Sequence, residues 1–219
     1  MPHRQIHRLL WLAFAAAIVV LGWQFRDHIE EVLAQRGTLT VETRADGVVL
    51  DWRGRIEAPL AARLDEAYRI HAGSAKRFVI AIDSPGGSLQ HGRDVIGVIR
   101  RMQQTHAVDT LVEDGRTCAS MCVAVYLAGA HRTAGPHARF MFHEVSYRDS
   151  LSGKVEKVPA DSIGRATDQF FERYLAPAGL DRGWLARLRE AVRGRSVWRT
   201  ARALVEERTG IVHALARPR

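Results

Sequence analysis

Three short segments carry residue types that could do chemistry together. The first is Thr117-Cys118-Ala119-Ser120-Met121-Cys122, followed by an apolar run from Val123 to Leu127. A small residue, a serine and then unbroken hydrophobic residues describe a hydroxyl exposed where a strand turns into a buried helix. The second is Phe140-Met141-Phe142-His143-Glu144, a short apolar strand ending in a histidine. A serine hydroxyl is a weak nucleophile until a base takes its proton, and an imidazole delivered by a neighbouring strand can take it. The third lies upstream. Ile80-Ala81-Ile82-Asp83-Ser84-Pro85-Gly86-Gly87 reads as a strand stopping at a Gly-Gly turn, where bare backbone N–H groups could face a developing oxyanion. Nucleophile, base and anion donor in one region set up a hydrolase expectation.

The elements that must position these groups are legible as alternating strands and helices. Thr38 to Thr43 alternates apolar and polar residues, and Asp46-Gly47 predicts a tight hairpin turn into Val48 to Trp52. Pro59 to His71 carries Leu60, Leu64, Ala67, Tyr68 and His71 at helical spacing, with Pro59 suited to a first turn. Arg77 to Ile82 is solidly apolar, as a strand buried on both faces of a mostly parallel sheet would be. Helices are expected over Gly92 to Gln104, Cys122 to Gly129, Ala160 to Leu175, Asp181 to Arg193 and Thr200 to Arg208. The third and fourth are parted by Pro177 and Gly179, and Gly210 closes the last. Strands are expected over Thr110 to Val112 and Phe140 to Phe142, and an exposed loop or edge ribbon over Lys154 to Val158. The alternation predicts an α/β layered domain.

In this order, the segments resemble the Clp protease proteolytic subunit and its membrane-associated relatives, the signal peptide peptidase A and NfeD-type proteases. The matching pieces are Asp83-Ser84-Pro85-Gly86-Gly87, Ala119-Ser120-Met121, Ala128-Gly129-Ala130-His131-Arg132 and Met141-Phe142-His143, within about Val48 to Val212. The resemblance implies the α/β ClpP/crotonase-like layered spiral of ββα units, with Ser120 as nucleophile and His143 as base. The N–H groups of Gly87 and Met121 would form the oxyanion hole. It also implies a homo-oligomer that shelters its sites, and a peptide or protein substrate.

The orienting acid departs from the pattern. In Clp-type proteases a carboxylate precedes the last short helix, but here that neighbourhood reads Arg193-Gly194-Arg195-Ser196-Val197-Trp198. Glu190, Asp161, Asp168 and Asp181 are the carboxylates upstream. Three accounts stay open: a Ser-His dyad oriented by Ser196 or a backbone carbonyl, a displaced acid, or a site without turnover. The membrane-associated relatives use a Ser-Lys dyad, for which Lys154 or Lys157 would supply the alternative base.

Each residue also has a plainer reading. Ser120 could cap the helix after it, and His143 could be a core histidine bonded to backbone. The two glycines serve an ordinary turn as readily as a ligand site. Cys118 and Cys122 bracket the serine. On one regular helix their Cα atoms would lie about 6 Å apart, near the outer limit for a disulfide, and closer if Cys118 precedes the helix. A bond and two buried thiols are both open.

Composition narrows the function classes. A hydrophobic fraction of 47% fits a packed globule, and two cysteines are too few for a disulfide scaffold. The net charge of +8 comes almost wholly from scattered arginine, with Lys76, Lys154 and Lys157 the only lysines, so no nucleic-acid patch is expected, and the short basic C-terminal tail, His213 to Arg219, is read as solvated. His91, His106, His131 and His137 show no metal-ligand spacing with a second Cys or His, and no metal or cofactor is expected.

His3, Arg4, His7 and Arg8 precede an uncharged apolar run from Leu9 to about Phe25, near the lower limit of ~17–25 residues for a membrane-spanning helix. Tryptophans near its ends suit the interfaces, and the basic amino end should stay cytoplasmic. A cleaved signal peptide competes, although Trp23-Gln24-Phe25-Arg26 is bulky for a cleavage site.

The expected organisation is a cytoplasmic basic end and transmembrane anchor over 1–26, a juxtamembrane spacer over 27–37, and the α/β domain over 38–219. That domain would face the periplasm or extracellular side of a bacterial inner membrane. The expected function is a membrane-anchored serine peptidase. The alternatives are a non-catalytic binding scaffold of the same fold and an acyl-CoA enzyme of the crotonase type.

Overall fold

The computed structural model describes residues 37–147 and 155–216. The expected anchor and spacer lie almost wholly outside the described residues, as does Lys154. Among the described residues no helix is long and apolar enough to cross a membrane.

The chain opens with the predicted hairpin, β1 (Thr38–Arg44) and β2 (Gly47–Arg53). Its turn is Ala45-Asp46, one residue earlier than expected, because Gly47 already pairs with Arg44. The continuation is a parallel α/β alternation: α1 (Leu60–His71), β3 (Arg77–Asp83), α2 (Leu89–Met102) and β4 (Ala107–Val112). Next come β5 (Thr117–Ala119), α3 (Met121–Leu127), β6 (Arg132–Ala134) and β7 (Arg139–Phe142). The last part holds α4 (Ala160–Phe170), α5 (Arg182–Ala191), β8 (Val197–Thr200), α6 (Ala201–Glu206) and β9 (Ala214–Leu215).

The strands form a six-stranded sheet, β1-β2-β3-β4-β6-β9, and a three-stranded sheet, β5-β7-β8. Only β1 is antiparallel in the first, which explains why β3 is an apolar run with Phe78, Ile80, Ala81 and Ile82 buried. The two sheets meet where β3 ends. Ser84 bridges Cys118, with Ser84 N–H donating to Thr117 O and Ala119 N–H to Ser84 O. The Asp83 carboxylate accepts from the Thr117 amide and pairs with Arg116. At this seam the three chemical segments converge.

All seven residues of α3 are buried. One core surrounds it, with Leu60 and Leu64 from α1, Val95 and Ile99 from α2, and Phe140 and Phe142 from β7.

Four expectations need correction. The helix predicted over Ala160 to Leu175 ends at Phe170 and widens into a π turn, Phe171–Leu175, before a 3₁₀ turn at Ala176–Ala178. Buried Phe171 and Leu175 hold the wide turn against the core, and Gly179 at φ 72° ends it. Strands β5, β6, β8 and β9 were not expected as such. Three of them hold two or three residues, too few to show a period of two, and β8 is mostly exposed. The tail read as solvated instead adds β9 beside β6, with Thr133 opposite Ala214. The last helix is shorter than predicted and is capped by Thr200, whose Oγ1 accepts from Ala203 N–H.

Candidate active site

Ser120 is the single residue between β5 and α3, and its backbone is unusual. It adopts φ 56°, ψ −123°, a conformation that costs a residue with a Cβ about 1–3 kcal/mol and persists only where the surroundings impose it. Here its N–H donates to Met141 O on β7 at 2.8 Å, and its carbonyl accepts from Val123 N–H at 2.9 Å. The side chain makes no capping hydrogen bond to α3, so the plainer reading of this serine fails. Its Oγ lies 2.8 Å from His143 Nε2. The serine is the donor of that bond when Nδ1 carries the imidazole proton.

His143 follows β7 directly. The parallel ladder of β7 on β5, Cys118 opposite Phe140 and Ala119 opposite Met141, sets serine and histidine in register. Both are half-buried. The disulfide joins Cys118 on β5 to Cys122 on α3 across a Cα–Cα distance of 5.2 Å, spanning the turn that presents Ser120.

The Gly-Gly turn passes beside this pair, and its glycines are more constrained than an ordinary turn requires. Gly86 has φ 99°, and a Cβ there would sit 2.8 Å from both Ala119 O and Ser120 Cβ. A Cβ on Gly87 would come within 2.2 Å of Ile56 O. The turn is fixed by Ile56 N–H donating to Gly86 O, Ser88 N–H to Ile56 O, and Gly86 N–H to the buried Ser84 hydroxyl. Because Ile56 takes the bonds on either side of Gly87, the Gly87 amide faces away from it, and Gly87 lines the same pocket as Ser120 and His143. Met121, the first residue of α3, follows the serine directly. Among the described residues, no hydrogen-bond acceptor is found for either amide.

The pocket beside the Ser-His pair is small, about 50 Å³. Its apolar wall comes from Leu89, Val123, Phe142, Phe170, Phe171 and Leu175. The π turn missed in the sequence thus supplies two of those side chains. A wider cleft runs across the same pair and includes Ser196.

The expected orienting acids lie elsewhere. Asp181 caps α5, accepting from Trp184 N–H at 2.6 Å, Asp168 pairs with Arg189 at 3.0 Å, and Glu190 pairs with Arg193 at 3.1 Å. Asp161 is exposed in the first turn of α4. None of the four lines the pocket or the cleft. Lys157, the described candidate for an alternative base, is exposed and lines neither. Among the described residues, no group of three or more His, Cys, Asp or Glu side chains is placed to hold a metal ion.

Sequence reasoning passed over Gly86 as a conformational necessity and Ser84 as the anchor of the turn. The Ser84-Pro85-Gly86-Gly87 run was the available signal for both.

Similarity to known proteins bears on the fold that holds this geometry. Residues 69–168 match the Clp protease family. The matched span contains Ser120, His143, Gly87 and Met121. The Clp-type fold recurs in a mutant of ClpP1 from Listeria monocytogenes, at TM-score 0.60 and 20% identity, covering 78% of this chain and 92% of that one. It recurs also in a mutant of the 1510-N membrane-bound stomatin-specific protease, at TM-score 0.58 and 17% identity, covering 78% and 79%. No curated protein sequence matches significantly. The mixed α/β Clp-type fold is therefore the fold of this chain, and the family match supports a serine peptidase of the Clp type.

Proposed function

We propose that this chain is a serine peptidase that cleaves peptide bonds with Ser120 as nucleophile and His143 as general base. The carrying observation is the 2.8 Å approach of Ser120 Oγ to His143 Nε2 on a serine held at positive φ. Nε2 takes the hydroxyl proton as Oγ attacks the substrate carbonyl carbon. The carbonyl oxygen becomes an oxyanion facing the Gly87 and Met121 amides. The imidazolium then returns its proton to the departing amine, leaving an acyl-serine. Water, deprotonated by His143, attacks that ester and releases the carboxylic acid and free serine. The apolar wall beside Ser120 favours an apolar substrate side chain next to the scissile bond.

The peptidase is read as anchored by residues 1–26, with the catalytic domain outside the cytoplasm. Support comes from the basic end before an apolar run and from a fold neighbour described as membrane-bound. A homo-oligomer is part of the same reading. A non-catalytic scaffold is the second reading, favoured by the placement of Asp161, Asp168, Asp181 and Glu190 away from the pair.

Covalent labelling of the purified protein by a fluorophosphonate tests the proposal. Wild type should label and Ser120→Ala should not. A wild type that never forms an adduct, and never an acyl-enzyme across a peptide library, establishes the scaffold reading.

A further inference from the structure

The strand ladder that carries His143 stops one residue short of it. The last pairs of β7 are Met141 with Ala119 and Phe142 with Val197, and residues 143–147 continue without regular structure. Tying down the backbone just beyond such a segment helps to fix the aim of an imidazole at its end. Two side chain–backbone bonds do this. Val145 N–H donates to Thr167 Oγ1 at 3.0 Å, and the Glu144 carboxylate accepts from Gly194 N–H at 2.7 Å. They pull on adjacent residues from different elements, α4 on one side and the turn after α5 on the other.

Both contacts are built features. Thr167 is 4% exposed and is the only buried residue of α4, so this helix turns its one buried hydroxyl to the segment after the histidine. A buried hydroxyl left without such a bond would be a cost rather than a neutral choice. Gly194 sits at φ 66°, a left-handed residue after α5 that glycine adopts without strain. It belongs to Arg193-Gly194-Arg195-Ser196, the stretch whose lack of a carboxylate broke the resemblance. The loop that supplies no acid to the site instead receives one, from the residue next to His143.

We infer that Thr167 and Glu144 are positioning residues for His143, acting through the backbone of residues 143–145; Thr167 lies outside the pocket lining, whereas Glu144 also lines it. This rests on the Ser-His peptidase reading above. Thr167 is the sharper handle, because valine keeps its shape and replaces only the hydroxyl by a methyl group. Glu144→Gln should retain the bond to Gly194 and Glu144→Ala should lose it.

The test uses the full-length protein in detergent and two readouts. Amide hydrogen exchange at residues 143–147 reports the latch without any need for activity, and fluorophosphonate labelling separates the rate of bond formation from reagent binding. Thr167→Val should lose protection at Val145 and label roughly 10- to 100-fold more slowly, with reagent binding little changed, the penalty expected when a reacting group is misplaced by about 1 Å. Thr167→Ser should restore both, Glu144→Ala should slow labelling, and Glu144→Gln should not. Unchanged exchange at Val145 in Thr167→Val would overturn the latch. Lost protection with wild-type labelling would overturn the positioning role. Weakened reagent binding at an unchanged bond-forming rate would overturn it equally, pointing to the pocket wall. A wild type that never labels rejects the peptidase reading itself and the positioning role with it, whatever the exchange shows.

Discussion

Ser120 is held at φ 56° by groups that also build the reaction site, so strain and function share the same few atoms. Gly86 leaves the space beside Ser120 Cβ that a side chain would fill, Met141 O takes the serine N–H, and His143 meets the hydroxyl. Gly86→Ala forces a Cβ to 2.8 Å from Ala119 O and Ser120 Cβ at φ 99°. It should cost about 1–3 kcal/mol of stability through backbone strain alone and abolish labelling. Denaturant unfolding alongside fluorophosphonate kinetics checks both, and a stable, fully reactive variant would refute the close approach. Ser120→Ala and His143→Ala should each lower turnover by orders of magnitude while leaving the fold intact. The double variant should be scarcely worse than either single one, because both side chains serve one proton transfer. Additive losses would mean that they act in separate steps. Activity should also fall as acid protonates the base, since an imidazolium cannot accept the serine proton.

At the scale of elements, the site is a strand, a one-residue turn and a helix, β5–Ser120–α3, closed by the Cys118–Cys122 disulfide. The bond ties the strand before the serine to the helix after it, which limits how far Ser120 can drift. Reducing the folded protein and confirming two free thiols by alkylation should slow labelling by roughly tenfold or more, with recovery on reoxidation. An unchanged rate in fully reduced protein would make the bond a bystander. A second element responds to acid. His213, just before β9, accepts from the Arg132 backbone N–H through Nδ1 and lies 5.2 Å ring to ring from His131, whose backbone N–H donates to Asp109. Burial, then Arg132 and then His131, lower its pKa. The unfolded chain therefore binds this proton more readily, so the contribution is present above about pH 6.5 and is lost as pH falls below it. Protection factors at residues 213–216, corrected for the intrinsic pH dependence of exchange, should fall in that window in wild type and not in His213→Asn, and a matching fall in both would exclude the histidine. How legible these elements were depended on length and burial. The Ser120 turn and the apolar core strands showed in the sequence because a continuous hydrophobic run surrounds each motif. Strand β9, the π turn at Phe171–Leu175 and the Thr167 bond did not show, because two-residue pairing and a lone buried hydroxyl leave no periodic trace.

Across the whole molecule, two sheets meet at the Ser84–Cys118 bridge, and the pocket opens where they join. The nucleophile is thus set by the packing of the entire domain around the buried helix α3, which is why the motif residues could be recognised far apart in the chain. The same seam bears on location. A disulfide bracketing the nucleophile would form and persist in an oxidising compartment, and the proposed anchor, a basic end followed by an apolar run from Leu9, would place everything beyond it in one. These two lines are independent, one from cysteine chemistry and one from charge asymmetry, and they make a joint prediction. Alkaline phosphatase fused after Arg219 should be active in intact cells, and Cys118 and Cys122 of the same fusion should resist alkylation until reduced. Deleting residues 2–26 should silence the phosphatase and leave both thiols open to alkylation on unfolding. An inactive phosphatase with an active cytoplasmic reporter on the intact chain would overturn the outward orientation. An active phosphatase with two freely alkylated thiols would keep the orientation and remove the disulfide, leaving the hydrogen bonds to Met141, Val123 and His143 to hold Ser120 in place.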